Sequence, residues 1–302
     1  MPIGLLTGLG AAICWGTLDL FSALASRRVG SLRVTTGMQI VGAGLVWAAA
    51  LVTGTTFSSD PFVLVGGTLV GLVGAAAYLA YFTGLRIGPI AVVSGMVSAY
   101  GGLTVVLAVV IRGETLTSLQ AAGAVLATLG VVLTGTSIEQ GWRNTRFASP
   151  GVAFAVVALV LFATMTIISD IVIDRASWQE VLLIARTSNA VVSIAVLVLA
   201  LTIFRRIATP MIEGAVGDAG SGRADARVIW FVVLAGALDV LGLASFAYGL
   251  EHAETWLVGL ASSFGPAVTI VVAVAMLGER LRPVQWVGLG GILAGMVAIG
   301  LP

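Results

Sequence analysis

The sequence predicts an all-α integral membrane protein, with ten transmembrane helices arranged as two inverted five-helix repeats. Three observations carry the prediction: charge is scarce, ten apolar runs reach spanning length, and an internal repeat holds an odd number of runs in each copy. Of 302 residues, 59% are hydrophobic and only 10% are charged. The mean hydropathy is +1.10. A soluble domain carries about 25% charged residues, so this chain cannot cover itself with a water-facing surface and most of its exterior must meet lipid. The 39 glycines fit closely packed membrane helices, where small residues let backbones approach.

A span needs roughly 20 apolar residues. Ten such runs lie at about 3–24, 34–53, 62–85, 89–111, 116–136, 151–173, 181–204, 228–250, 255–277 and 283–301. The apolar residues are continuous rather than alternating, which favours helices over a barrel. Short breaks hold most of the charge, among them Arg27-Arg28, Asp60-Pro61, Arg112-Gly113-Glu114 and Asp174-Arg175. The glycine-rich stretch around Gly217–Gly222 reads as a flexible surface loop.

An offset of 165 residues lays the third to fifth spans on the eighth to tenth without a gap. Gly84 meets Gly249, Ser98 meets Ser263, Thr104 meets Thr269, Glu114 meets Glu279 and Gln120 meets Gln285. An offset of 147 lays the first two spans on the sixth and seventh: Gly4 on Gly151, Thr17 on Thr164, Ser22 on Ser169, Arg28 on Arg175. The expected units are residues 1–137, a linker at 138–150, and residues 151–302. Five spans per copy make the second copy enter from the opposite side, so the halves are related by a two-fold axis in the membrane plane. Many secondary transporters are built this way.

Several features resemble the EamA-type branch of the drug/metabolite transporter superfamily. They are the ten-span layout, Trp15-Gly16 midway along the first span, and a pattern used twice after the fourth span of each half. That pattern reads Gly113-Glu114-Thr115-Leu116…Gln120…Gly123 and Gly278-Glu279-Arg280-Leu281…Gln285…Gly288. Pro266 in the ninth span fits as well, with Gly101 in its place in the first half. The resemblance implies that the first, third, fourth, sixth, eighth and ninth spans line a central cavity, with the fifth and tenth supporting from outside.

All fifteen basic residues are arginine, and every one except Arg112, Arg175 and Arg186 falls in a loop after an odd-numbered span. The positive-inside rule therefore puts the odd loops in the cytoplasm and both termini outside. The resemblance implies the reverse, with both termini inside. The charge count belongs to this chain and is given the greater weight.

Ionisable groups inside hydrocarbon are costly and tend to face the bundle interior. Asp239, at the middle of the eighth span, and Asp19, in the first, are the candidates for a coupling or charge-pairing site. The structural alternative for Asp239 is a pair with an arginine or a bond to a serine. Asp170 and Arg186 lie near span ends, and a mutual pair is expected. Aromatic residues form a second constellation. Tyr78 and Tyr81 share a face of the third span, Phe246 is the repeat partner of Tyr81, and Trp15 lies one turn before Asp19. With Tyr100, Trp256, Ser98, Ser263 and Thr164, these suggest a pocket for an amphipathic solute, with packing as the alternative for any one of them. Ser94 and Ser262 could contact solute or bond a carbonyl one turn back. Trp178, Trp230 and Trp286 at span ends read as interfacial belts. Stripes of small residues at Gly4, Gly8, Ala12 and Gly16, at Gly67, Gly71 and Ala75, and at Gly291 and Gly295 read as packing seams. Glu114 and Glu279 are expected to cap the helices that follow them. His252 reads as a solvated loop residue.

The expected function is secondary transport of a small organic solute (an amino acid, metabolite or drug-like compound) by alternating access, in the export direction. No P-loop is present, so ATP is not the direct energy source. A single histidine and a single cysteine, Cys14, exclude a multi-histidine metal centre and any intrachain disulfide. No cofactor is expected, and there is no basic face for nucleic acid. The alternatives are an intramembrane enzyme using Asp19 and Asp239 as an aspartyl pair, or a non-transporting sensor or scaffold. No enzymatic activity is expected. The expected partners are the solute and the lipid bilayer, in a bacterial inner or plasma membrane. With both halves fused, the chain can work as a monomer.

Overall fold

The computed structural model describes residues 3–88, 93, 96–135, 150–203, 226–265, 267–268 and 283–300. Ser94, Pro266, Thr269, Gly278 and Glu279 lie outside the described residues.

Among the described residues, ten α-helices follow one another, with no strand. In the first repeat, α1 is Ile3–Val29, α2 is Ser31–Thr53, α3 is Pro61–Ile87, α4 is Tyr100–Leu107 and α5 is Ser118–Gly135. In the second, α6 is Pro150–Ile173, α7 is Trp178–Thr202, α8 is Ala226–His252, α9 is Thr255–Ser262 and α10 is Pro283–Gly300. Six of them, α1, α2, α3, α6, α7 and α8, are long and apolar enough to cross a membrane by themselves. Their outer faces carry residues such as Leu51 and Val52, which are 80% and 88% exposed and suit contact with lipid rather than water. Trp230 and Trp286 stand exposed near the starts of α8 and α10, whereas Trp178 packs edge-on against Tyr248.

Local chemistry sets the helix ends. Asp60 accepts a bond from the Phe62 N–H at 2.8 Å, with Pro61 in the first turn of α3. A capping box joins Ser177 and Glu180 at the start of α7. A second box starts α5, where the Thr117 N–H donates to Gln120 Oε1 (2.9 Å) and the Gln120 N–H donates to Thr117 Oγ1 (3.2 Å). The last turns of the fourth span, Ala108–Arg112, are π-helical, and Gly113 stops them in the left-handed region at φ 69°.

The repeats are interleaved rather than side by side. The most extensive pairings are α5 with α10, α1 with α8, and α3 with α6, and each joins one repeat to the other. The small-residue stripes seat α1 on the α9 region, α3 on α7 and α5 on α10. A Cβ on Gly4 or Gly8 would strike Ala253 and Ala261 beside α9, and one on Gly67 would strike Ile184 of α7. Gly130 faces the backbone of Gly288 and Ile292, closing α5 onto α10.

Candidate functional site

A cavity of about 60 Å³ lies at the centre, between the repeats. It has room for about five water molecules. Among the described residues, its walls come from α1, α3, α6, α8, the fourth span and the α9 region, and none comes from α2, α5, α7 or α10. The lining is organised by the repeat. Trp15, Leu18 and Asp19 face it from α1, and the residues 147 positions later, Phe162, Met165 and Thr166, face it from α6. The offset of 165 likewise matches Tyr81 with Phe246, Val97 with Ser262, Ser98 with Ser263, and Tyr100 with Gly265, all of them in the wall. Tyr78 alone has no repeat partner in the wall. Two-fold placement therefore coexists with unequal chemistry: a carboxylate opposes a threonine, and a phenol opposes a phenyl ring.

The two tyrosines of α3 hold two buried carboxylates, Asp19 and Asp239. Tyr81 donates its hydroxyl to Asp19 Oδ2 at 2.7 Å, and Tyr78 donates to Asp239 Oδ1 at 2.5 Å. Their spacing of three residues puts both rings on one helix face, from which they reach α1 and α8. Trp15 packs on Phe246 at 5.5 Å between ring centroids, and Phe162 stands edge-on to Tyr78 at 5.2 Å. Across the cavity, the hydroxyls of Tyr100 and Ser262 are 2.7 Å apart.

Asp239 differs from the sequence expectation. It is fully buried behind the wall, outside the cavity lining. Arg186 Nη2 binds its second oxygen at 2.5 Å, and Arg186 Nη1 donates to Gln39 Oε1. Gln39 and Arg186 are themselves related by the 147 offset, so their contact marks where the two-fold axis passes. The expected pair between Asp170 and Arg186 does not form. Asp170 instead pairs with Arg112 at 2.5 Å, because it lies at the end of α6 next to the end of the fourth span. Arg186 Nε and Gln39 Nε2 have no hydrogen-bond partner among the described residues. A second cavity of about 40 Å³, lined by Arg186, Asn189 and Ser169, adjoins the first through Tyr78.

Of the residues singled out by sequence, Trp15, Asp19, Tyr78, Tyr81, Ser98, Tyr100, Phe246 and Ser263 are brought together in the wall. Thr164 and Trp256 are not. Thr164 Oγ1 donates to the Val160 carbonyl at an exposed position, as its repeat partner Thr17 does to Ile13. Trp256 is buried in an apolar cluster with Ile167 and Leu260, and its indole N–H donates to Glu254. Tyr248 is partly exposed and stacks on His252, which ends α8 rather than lying in a loop. Sequence reasoning missed Phe162, Met165 and Thr166. Applying the 147 offset to Trp15, Leu18 and Asp19, rather than to Thr17, would have found them. Glu114 is a cap, but of α9: Oε1 accepts the Thr255 N–H at 2.9 Å and Oε2 the Trp256 N–H at 3.0 Å. The Thr117–Gln120 box already serves α5, which leaves Glu114 to reach across.

A family model described as "EamA-like transporter family" matches residues 2–136 and again 149–301. No curated protein matches the chain. Among solved structures, a crystal structure of a protein superposes with a TM-score of 0.76 at 21% identity, covering 98% of this chain and 96% of that one. At that identity, the likeness shows the fold alone.

Proposed function

The chain belongs to the EamA-like transporter family of the drug/metabolite transporter superfamily, and we propose that it is a secondary transporter moving a small amphipathic organic solute outward by alternating access. The observation that carries this reading is a central cavity whose aromatic walls come from both repeats in matched positions and include one carboxylate, Asp19. Aromatic rings bind apolar or cationic surface, and Asp19 supplies a charge for a solute amine, or a site for a coupling proton. The inverted two-fold relation of the repeats supplies the rocking element. At about 60 Å³, the cavity is small for an organic solute, and parting of its walls in alternating access would enlarge it. Residence in a bacterial inner or plasma membrane, function as a monomer and the lack of enzymatic activity belong to the same proposal. The aspartyl-pair alternative finds no support, because Tyr78 and Arg186 occupy both oxygens of Asp239.

The test is purified protein in liposomes against a panel of amino acids, metabolites and aromatic amines, with Asp19→Asn beside the parent. Asparagine still accepts the Tyr81 bond, so the variant is expected to fold and to lose transport, or its pH dependence, by at least about tenfold. Undiminished transport by Asp19→Asn from pH 5 to 8 would remove Asp19 from the mechanism. Cleavage of a peptide or lipid by protein that moves no solute would overturn the transporter reading.

A further inference from the structure

We infer that Arg112, Asp170, Asp174 and Glu114 form a latch that closes the cavity toward the membrane face carrying the loops after α4, α6 and α8. The inference rests on the transporter reading of the cavity and adds the element that gates one side of it.

The latch crosses from the first repeat to the second at three points. Arg112 Nε lies 2.5 Å from Asp170, and Nη2 lies 2.7 Å from Asp174. These carboxylates are one turn apart on and just beyond α6, so one guanidinium spans both. Two residues on, Glu114 holds the first two N–H groups of α9. The backbone brings these groups into place. The π-helical turn sets the direction of Arg112, and the left-handed Gly113 turns the chain so that Glu114 faces α9 rather than continuing the helix.

Its position relative to the cavity is set by α6. Thr166 lines the cavity, and Asp170 lies four residues beyond it on α6, about 6 Å along the axis. Between them lies Ile167, which is buried in one apolar cluster with Trp256 and Leu260. Exposure rises outward, with the side chains of Asp170, Arg112 and Asp174 at 6%, 27% and 54%. A charged plug thus lies over an apolar seal.

The ion-pair part of the latch is one-sided, whereas Glu114 has a repeat partner in Glu279. The repeat offsets carry Arg112 to Leu277, Asp170 to Ala23 and Asp174 to Arg27, so the same ion pair cannot form at the opposite face. A two-fold scaffold therefore carries an unequal lock. Opening toward the latched face requires separating these charges, and opening toward the other does not.

The experiment uses the full chain with Cys14→Ala and Thr166→Cys, which leaves one thiol in the cavity wall. A membrane-impermeant thiol reagent is applied from each side, using right-side-out and inverted vesicles. Arg112→Gln is expected to raise the labelling rate from the latch face by about tenfold, without raising it from the other face. Asp174→Asn, at the exposed end, is expected to raise it by about two- to threefold. An unchanged rate in both variants, each monodisperse, overturns the latch. If Arg112→Gln does not fold, Asp174→Asn decides alone. The readout needs no solute, so failure of the transport reading and failure of the latch are seen separately.

Discussion

Asp239 and Asp19 are chemically the same group at similar depth, yet their neighbours give them different work. Asp239 is bonded by Tyr78, ion-paired to Arg186 and shut away from the cavity. Removing one partner of a buried pair leaves the other charge uncompensated, at a cost of about 3–5 kcal/mol. Asp239→Asn is therefore expected to lower the thermal midpoint in detergent and the yield of folded protein. Replacing both partners, with Asp239→Asn and Arg186→Met, is expected to recover most of that loss, since no isolated charge remains. A single variant as stable as the parent would contradict the ion-pair account. The arginine pair is the structural alternative that the sequence offered for Asp239.

Helix–helix contact in this protein depends on where a side chain is missing. In lipid there is no hydrophobic force between apolar helices, so close backbone approach and the dispersion it allows hold them together. At Gly130 a Cβ would lie 2.6 Å from the Ile292 nitrogen and 2.7 Å from the Gly288 carbonyl oxygen. Those are backbone atoms and cannot rotate away. Gly130→Ala is expected to push α5 off α10 and destabilise the protein by about 1–3 kcal/mol. Gly290→Ala on the same pair meets nothing within 4 Å and is expected to be neutral. Equal midpoints for the two variants in a thermal melt would refute the seam. At this scale the small-residue stripes were legible from their spacing alone, but the partner of each was not. Nothing along α1 indicates that Gly4 and Gly8 seat the α9 region.

Across the whole molecule, two interleaved repeats leave a hollow between them, with the Arg112–Asp170–Asp174 ion pairs at one face. Arg27, Arg28, Arg33 and Arg227 stand exposed at the opposite face, where the odd loops lie. The positive-inside rule then orients the latched face outward, with both termini on that side. A reporter active only outside the cytoplasm, fused to the C-terminus, is expected to be active. Activity from a cytoplasm-specific reporter at the same position would reverse the orientation and, with it, the side on which the latch acts.

By itself the sequence determined the class, the repeat and most of the cavity wall. Spanning length, low charge and offset matches are one-dimensional quantities, and a two-fold axis gives matched positions equivalent places in the two repeats. Only the tertiary structure decided which charges pair. Arg186 lies 53 residues from Asp239 and 147 from Gln39, and Glu114 caps a helix more than a hundred residues away. An ion pair in a low-dielectric interior depends on separations of a few ångströms. Those separations are fixed by how helices cross, and spacing along the chain does not encode them.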